Sequence, residues 1–251
     1  MASRMRRRTR AERSGPCVKT PRRCCLLALT CLLAYPSTAA AQAEGQLWAN
    51  GIVNWYTTDL LTFRVNTQAQ SNPFDITITP RVVYTVTPWM DALGELAVGH
   101  QVDEETTWTP RVGVQLHILS RILDKQAQDR EEREKPPRRR LVVSTLLRVE
   151  DNQGTWRFRD RFALAFPINR HKTTDDGAIY LTGDNEVFIP FDRAPGAALV
   201  SRMRLRTGVG YRQNFAWSFQ ALYIWNGTRN AGSGALVQES HAINIRVIRS
   251  F

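Results

Sequence analysis

The stretch SRMRLRTGVGYRQ, residues Ser201 to Gln213, alternates along its whole length. Met203, Leu205, Thr207, Val209 and Tyr211 fall on one side. Arg202, Arg204, Arg206, Gly208, Gly210 and Arg212 fall on the other. A period of two is the mark of a β-strand with one apolar and one polar face, because successive side chains of a strand point to opposite sides. The question the stretch raises is which of its two faces meets water.

The same period recurs along the chain. In LLTFRVNTQAQ (60–70), Leu61, Phe63, Val65, Thr67 and Ala69 oppose Thr62, Arg64, Asn66, Gln68 and Gln70. In WTPRVGVQLHIL (108–119), Trp108, Pro110, Val112, Val114, Leu116 and Ile118 oppose Arg111, Gly113, Gln115 and His117. In WRFRDRFALAFPI (156–168), Trp156, Phe158, Phe162, Leu164, Phe166 and Ile168 oppose Arg157, Arg159 and Arg161. Eleven segments qualify: 46–56, 60–70, 75–87, 91–101, 107–119, 140–150, 155–168, 178–191, 200–213, 215–226 and 240–251. They are about twice as long as a common soluble strand and match the length of a strand that crosses a bilayer. Helical periodicity is weak throughout, and the one helical candidate, 119–135, is charged all round.

A soluble sandwich or lipocalin-like barrel turns its apolar rows inward. A transmembrane barrel inverts this, with apolar rows toward lipid and polar rows lining the lumen. Trp48, Trp55, Tyr56, Tyr84, Trp89, Trp108, Trp156, Tyr211, Trp217 and Trp225 lie mostly near segment ends, where two interfacial aromatic girdles need them. The expected fold is therefore all-β: a closed antiparallel up-and-down transmembrane barrel of 10–12 strands. Single-chain bacterial barrels have even strand numbers, so eleven segments predict that one has been split, merged or missed. Counting back from the C-terminus puts 120–139 at the periplasmic end; counting forward from Trp48 puts it outside.

The chain ends INIRVIRSF, with Ile243, Ile245, Val247 and Phe251 on one row. A final alternating strand closing on an aromatic is expected to act as the signal read by the outer-membrane assembly machinery. Arg249 interrupts the row and is expected to snorkel at the rim. At the other end come an arginine-rich lead, the apolar run LLALTCLLAY (26–35) and a small-residue stretch, PSTAAAQA (36–43). That order predicts a secretory signal peptide over residues 1–43, cut after Ala41 or Ala43. Residues 1–43 hold nine Lys/Arg against one Glu, so they carry +8 of the +11 net charge. The basic balance belongs to the leader and gives no support for a nucleic-acid partner. Cys17, Cys24, Cys25 and Cys31 would leave with it, and with them any disulfide or thiolate site.

Three further stretches carry a resemblance: QLW (Gln46 to Trp48), NEVFIPF (Asn185 to Phe191) and the Arg-x-Arg strand running into Gly-x-Gly-Tyr (Ser201 to Arg212). With the alternating C-terminal strand, their order resembles a family of outer-membrane β-barrels described only as a domain of unknown function (DUF). The resemblance covers residues 44–251 and implies a single barrel in a Gram-negative outer membrane, with 120–139 as a charged loop insertion. It brings no catalytic residues to carry over.

The polar rows of three consecutive segments predict a charged lumen. Arg157, Arg159 and Arg161 face in from one; Asp184 and Glu186, with Tyr180, Thr182 and Phe188, from the next; Arg202, Arg204 and Arg206 from the third. Carboxylates between two arginine rows offset their repulsion and pair with them bidentately. The expectation is a non-catalytic barrel whose lumen is filled by an Arg/carboxylate network. The alternatives are a narrow channel or binder for small anionic or sugar solutes, and a soluble periplasmic β-protein. No serine stands beside a histidine with the geometry of a nucleophile and its base: Ser240 and His241 adjoin and so point apart. Neither a metal nor a cofactor is expected, because Asp103 to Glu105 and Asp175–Asp176 read as solvated loop charge. The expected partners are the lipid bilayer, the outer-membrane assembly machinery and periplasmic chaperones, with the protein itself a monomer.

Overall fold

The computed structural model describes residues 44–71, 73–102, 104–119, 141–192, 198–230 and 234–251. The leader, its cleavage site and residues 120–139 lie outside the described residues. Every regular element described is a strand: β1 Glu44–Tyr56, β2 Leu61–Gln70, β3 Asp75–Thr87, β4 Met90–Gln101, β5 Thr107–His117, β6 Val142–Asn152, β7 Thr155–Pro167, β8 Ala178–Pro190, β9 Arg202–Arg212, β10 Trp217–Arg229 and β11 Leu236–Ser250. Each pairs with its sequence neighbours, and β1 pairs with β11 to close the barrel. Closure leaves no unpaired sheet edge, which removes the main aggregation hazard of long strands.

The closed barrel falls within the expected range of strand number, but it is neither even-numbered nor wholly antiparallel as expected. There are eleven strands among the described residues, because the seam between β1 and β11 is parallel, running in register from Glu44↔Ser240 to Asn54↔Ser250. All other pairs are antiparallel. An odd number of alternating strands must meet its own first strand in parallel. The start of β1 and the end of β11 therefore lie at opposite ends of the barrel. The two countings of the loops disagree because both take the termini to share one end, and they do not. The β5–β6 connection leaves from the end that carries Phe251, whereas β1 begins at the other end.

The faces sort as the rows predict. Leu47, Phe63, Ile78, Val112, Phe162, Leu181, Val209, Tyr223 and Ile245 all stand outside and exposed. Two rings of aromatics follow: Trp55, Trp89, Tyr211, Phe215 and Trp217 near the C-terminal end, and Phe74, Trp108, Trp156 and Phe191 near the opposite one. Trp48 is a correction. It is only 4% exposed and faces inward, packed with Ile224 and Ala242 beneath the guanidinium of Arg204, which lies 5.2 Å from its ring. Its parity on β1 matches Asn50 and Asn54, both buried inside.

Local chemistry explains the turns and the closure. The β6–β7 hairpin turns through Gln153 (φ 55°) and Gly154 (φ 83°), the left-handed pair that a two-residue hairpin demands. Its Gly154 N–H donates to Asp151 Oδ1 at 2.7 Å. The seam is held by side chains as well as backbone: Asn244 donates to Asn50 at 2.7 Å and Asn54 to Ser250 at 3.3 Å. Phe251 donates its N–H to Asn54 O, accepts from Tyr56 N–H, and stacks its ring on Trp55 at 6.2 Å.

Candidate functional site

Inward parity collects charge in the lumen. Glu186 sits on β8 with no exposure. Arg159 of β7 donates to it from Nε at 2.7 Å, and Arg206 of β9 from Nη2 at 3.2 Å. Arg204 lies 3.7 Å away, and Arg206 also donates to Asp184 at 2.7 Å. The central part of the network anticipated from β7, β8 and β9 is thus brought together: Arg159, Asp184, Glu186, Arg204 and Arg206.

Two more glutamates join it, and neither was picked out from the sequence. Glu95 of β4 and Glu150 of β6 have side chains without solvent exposure. Arg148 of β6 donates from Nη1 to Glu95 at 2.5 Å and from Nη2 to Glu186 at 3.0 Å. Arg159 donates from Nη1 to Glu150 at 3.1 Å. Arg111 of β5 completes the path, its Nε 2.8 Å from Glu150 and its Nη1 3.4 Å from Glu95. The result is a closed circuit of alternating charge: Glu95, Arg148, Glu186, Arg159, Glu150, Arg111 and back. Arg81 buttresses Glu95 at 2.5 Å, and Arg157 donates to Glu150. Each of the three glutamates meets at least three guanidiniums. That answers the desolvation of three buried charges, for which a single partner is often insufficient. Phe188 lies under the guanidiniums of Arg157, Arg159 and Arg204, with 4.6 Å to Arg159.

The remaining predicted members stand apart. Arg202 pairs with Glu239 at 3.1 Å in an exposed position at the rim. Arg161 faces the lumen cavity but has neither an ion pair nor a hydrogen bond among the described residues, and its Nε is buried without a partner. Ile243 and Ile245 stand outside at 49% and 47% exposure, with Phe251 at 55% at the seam. Val247 shares their row, paired with Gly51 and Phe219. Arg249 lies between two rings, 4.5 Å from Trp217 and 4.7 Å from Phe251.

His117 Nε2 is 2.7 Å from Asp91, which also accepts from Thr85 at 2.9 Å. Ser144 is in register with His117, yet the two share no hydrogen bond. Among the described residues no group of three His, Cys, Asp or Glu side chains is placed to hold a metal ion.

Beside the circuit a cavity of about 740 Å³ runs along the lumen, lined by arginines of β2, β3, β5, β6, β7, β9 and β11, by the carboxylates of Asp75 and Glu239, and by the amides of Asn50, Asn66 and Gln68. A closed barrel with apolar side chains outside and a cross-linked charged interior defines the class of protein. The chain belongs to the DUF2490 family, described as proteins of unknown function, whose model matches residues 45–236 and so spans β1 to the first residue of β11. No curated protein and no solved structure shows a significant match.

Proposed function

We propose that this protein is a monomeric, non-catalytic β-barrel of a Gram-negative outer membrane, with a lumen rigidified by its arginine–carboxylate circuit. The observation that carries the reading is the inverted distribution of side chains. A soluble barrel with this much exposed Leu, Ile, Val and aromatic surface would aggregate, since a soluble monomer rarely exposes an apolar patch beyond a few hundred Å². A bilayer turns the same surface into the source of stability. The two aromatic rings fit the headgroup levels. Arg249, flanked by Trp217 and Phe251, can shield its charge at a rim.

On this reading Phe251 and its row meet the assembly machinery at the periplasmic end, after export under the cleaved leader and escort by periplasmic chaperones. The β5–β6 insertion, 120–139, leaves from that same end. Washing cell envelopes with alkaline carbonate tests the membrane part. The protein should stay with the outer membranes, whereas release into the wash would return the apolar rows to a soluble core.

A second reading, a narrow binder or channel for small anions or sugars, is favoured by the 740 Å³ cavity and its arginine lining. Planar-bilayer recording separates the two. A filled lumen gives no steady conductance steps, and a channel gives them.

A further inference from the structure

The lumen wall is uneven in charge. The carboxylates of the circuit belong to β4, β6 and β8, on one side of the barrel. On the other side, β1 beyond Glu44, all of β2, and β11 from Ser240 onward contain no Asp or Glu. Their inward rows mix amides, hydroxyls and two arginines with Trp48, Ile52, Ala242 and Ile248. Arg64 donates from Nε to Asn54 at 2.6 Å, and Arg246 from Nη1 to Gln220 at 3.0 Å; neither has an ion pair among the described residues. Across the same cavity stands Arg161, which makes neither a hydrogen bond nor an ion pair among the described residues. The Nε of Arg246 is likewise buried without a hydrogen bond.

Three guanidiniums facing one half-open space repel one another, and a partly desolvated charge without a contacting counter-charge is unfavourable. The circuit already engages the nearby glutamates, Asp184 pairs with Arg206 and Glu239 with Arg202, so none of these three arginines has a carboxylate within ion-pair distance among the described residues. A guanidinium is suited to an oxyanion, which it holds through two parallel N–H donors. The space is large for a bare ion and lies within the range of small-molecule sites. On its neutral wall Asn50 donates toward Asn66 and Gln68 at 3.3 and 3.4 Å, long contacts that leave amide capacity for hydroxyl groups.

We propose that this cavity binds a small hydroxylated oxyanion of the sugar-phosphate class, its phosphate between Arg161 and Arg246 and its hydroxyls on the amides of β1 and β2. The proposal rests on the barrel reading above and deepens its solute-binding form. It is tested by calorimetric titration of the detergent-folded barrel with glucose 6-phosphate, inorganic phosphate and glucose. Each sample is first checked for heat-dependent gel mobility, so that loss of the barrel is seen separately from loss of the site. Glucose 6-phosphate should bind most tightly and glucose not at all. Arg161→Gln and Arg246→Gln should each weaken binding by about tenfold or more, as expected for loss of one charge-assisted bidentate contact. Arg161→Gln should do so without lowering the unfolding midpoint of the ligand-free barrel. A compact wild-type barrel that binds neither phosphate compound overturns the proposal. So does binding that both variants leave unchanged.

Discussion

Arg148 on β6 reaches across an entire strand to Glu95 on β4, closing to 2.5 Å between Nη1 and Oε1 although the residues are 53 positions apart. Gly113 of β5 lies between them, paired with Arg148 on one side and Leu93 on the other. A Cβ at Gly113 would stand 2.6 Å from Arg148 Cγ and 2.4 Å from Leu147 O. The glycine is the gap through which the circuit closes.

Gly113→Ala should therefore destabilise the barrel by about 1–3 kcal/mol, the usual range for overpacking, because the backbone carbonyl it meets cannot step aside. Urea unfolding of the refolded protein in detergent measures this. A midpoint equal to wild type would mean that Arg148 does not depend on that gap.

Glu186 answers four arginines: Arg148, Arg159, Arg204 and Arg206. Glu186→Ala should lower stability by about 3–5 kcal/mol, the effect of stranding buried charges. Glu186→Gln keeps the shape and should fall in between. An unchanged unfolding midpoint in Glu186→Ala would remove the circuit from the account of stability.

Arg159 and Arg161 sit two residues apart on one inward row but differ in circumstance. Arg159 bridges Glu150 and Glu186, and Arg161 bridges nothing described. Arg159→Gln should destabilise strongly, and Arg161→Gln should be neutral or slightly stabilising through relief of like-charge repulsion. Equal losses in the same urea titration would contradict the geometry of the circuit.

The outward face has its own test. Ile245, 47% exposed near the middle of β11, should tolerate Leu or Val but not charge. Ile245→Arg in a refolding titration into lipid vesicles should lose about 2–4 kcal/mol, as for arginine near a bilayer midplane. A soluble exposed site would lose almost nothing.

Much of the architecture is legible in the alternation. The segment 75–87 coincides with β3, and 155–168 and 178–191 each overrun their strand, β7 and β8, by a single residue. β11 begins earlier than 240 because a bulge at Asn226/Gly227 lets pairing continue outward to Arg229↔Leu236. What alternation hides is the inward row of a filled lumen. Such a row is also a packed core, so it need not be polar. On β4 the inward row runs Asp91, Leu93, Glu95, Ala97, and on β6 Leu146 is buried beside Arg148 and Glu150. Mixed rows like these blur the polar face and conceal two of the three glutamates. The parallel seam is hidden for another reason. Nothing local to β1 or β11 records the direction in which two strands nearly two hundred residues apart will meet.

The central claim, a closed barrel with its apolar face to lipid, is tested most directly by gel mobility. Outer membranes are solubilised in mild detergent and the protein is run with and without boiling. A closed barrel resists the detergent until heated, so the account predicts a compact unheated band, in the membrane fraction, that shifts on boiling. A protein recovered in the soluble fraction, with the same mobility before and after heating, would contradict it.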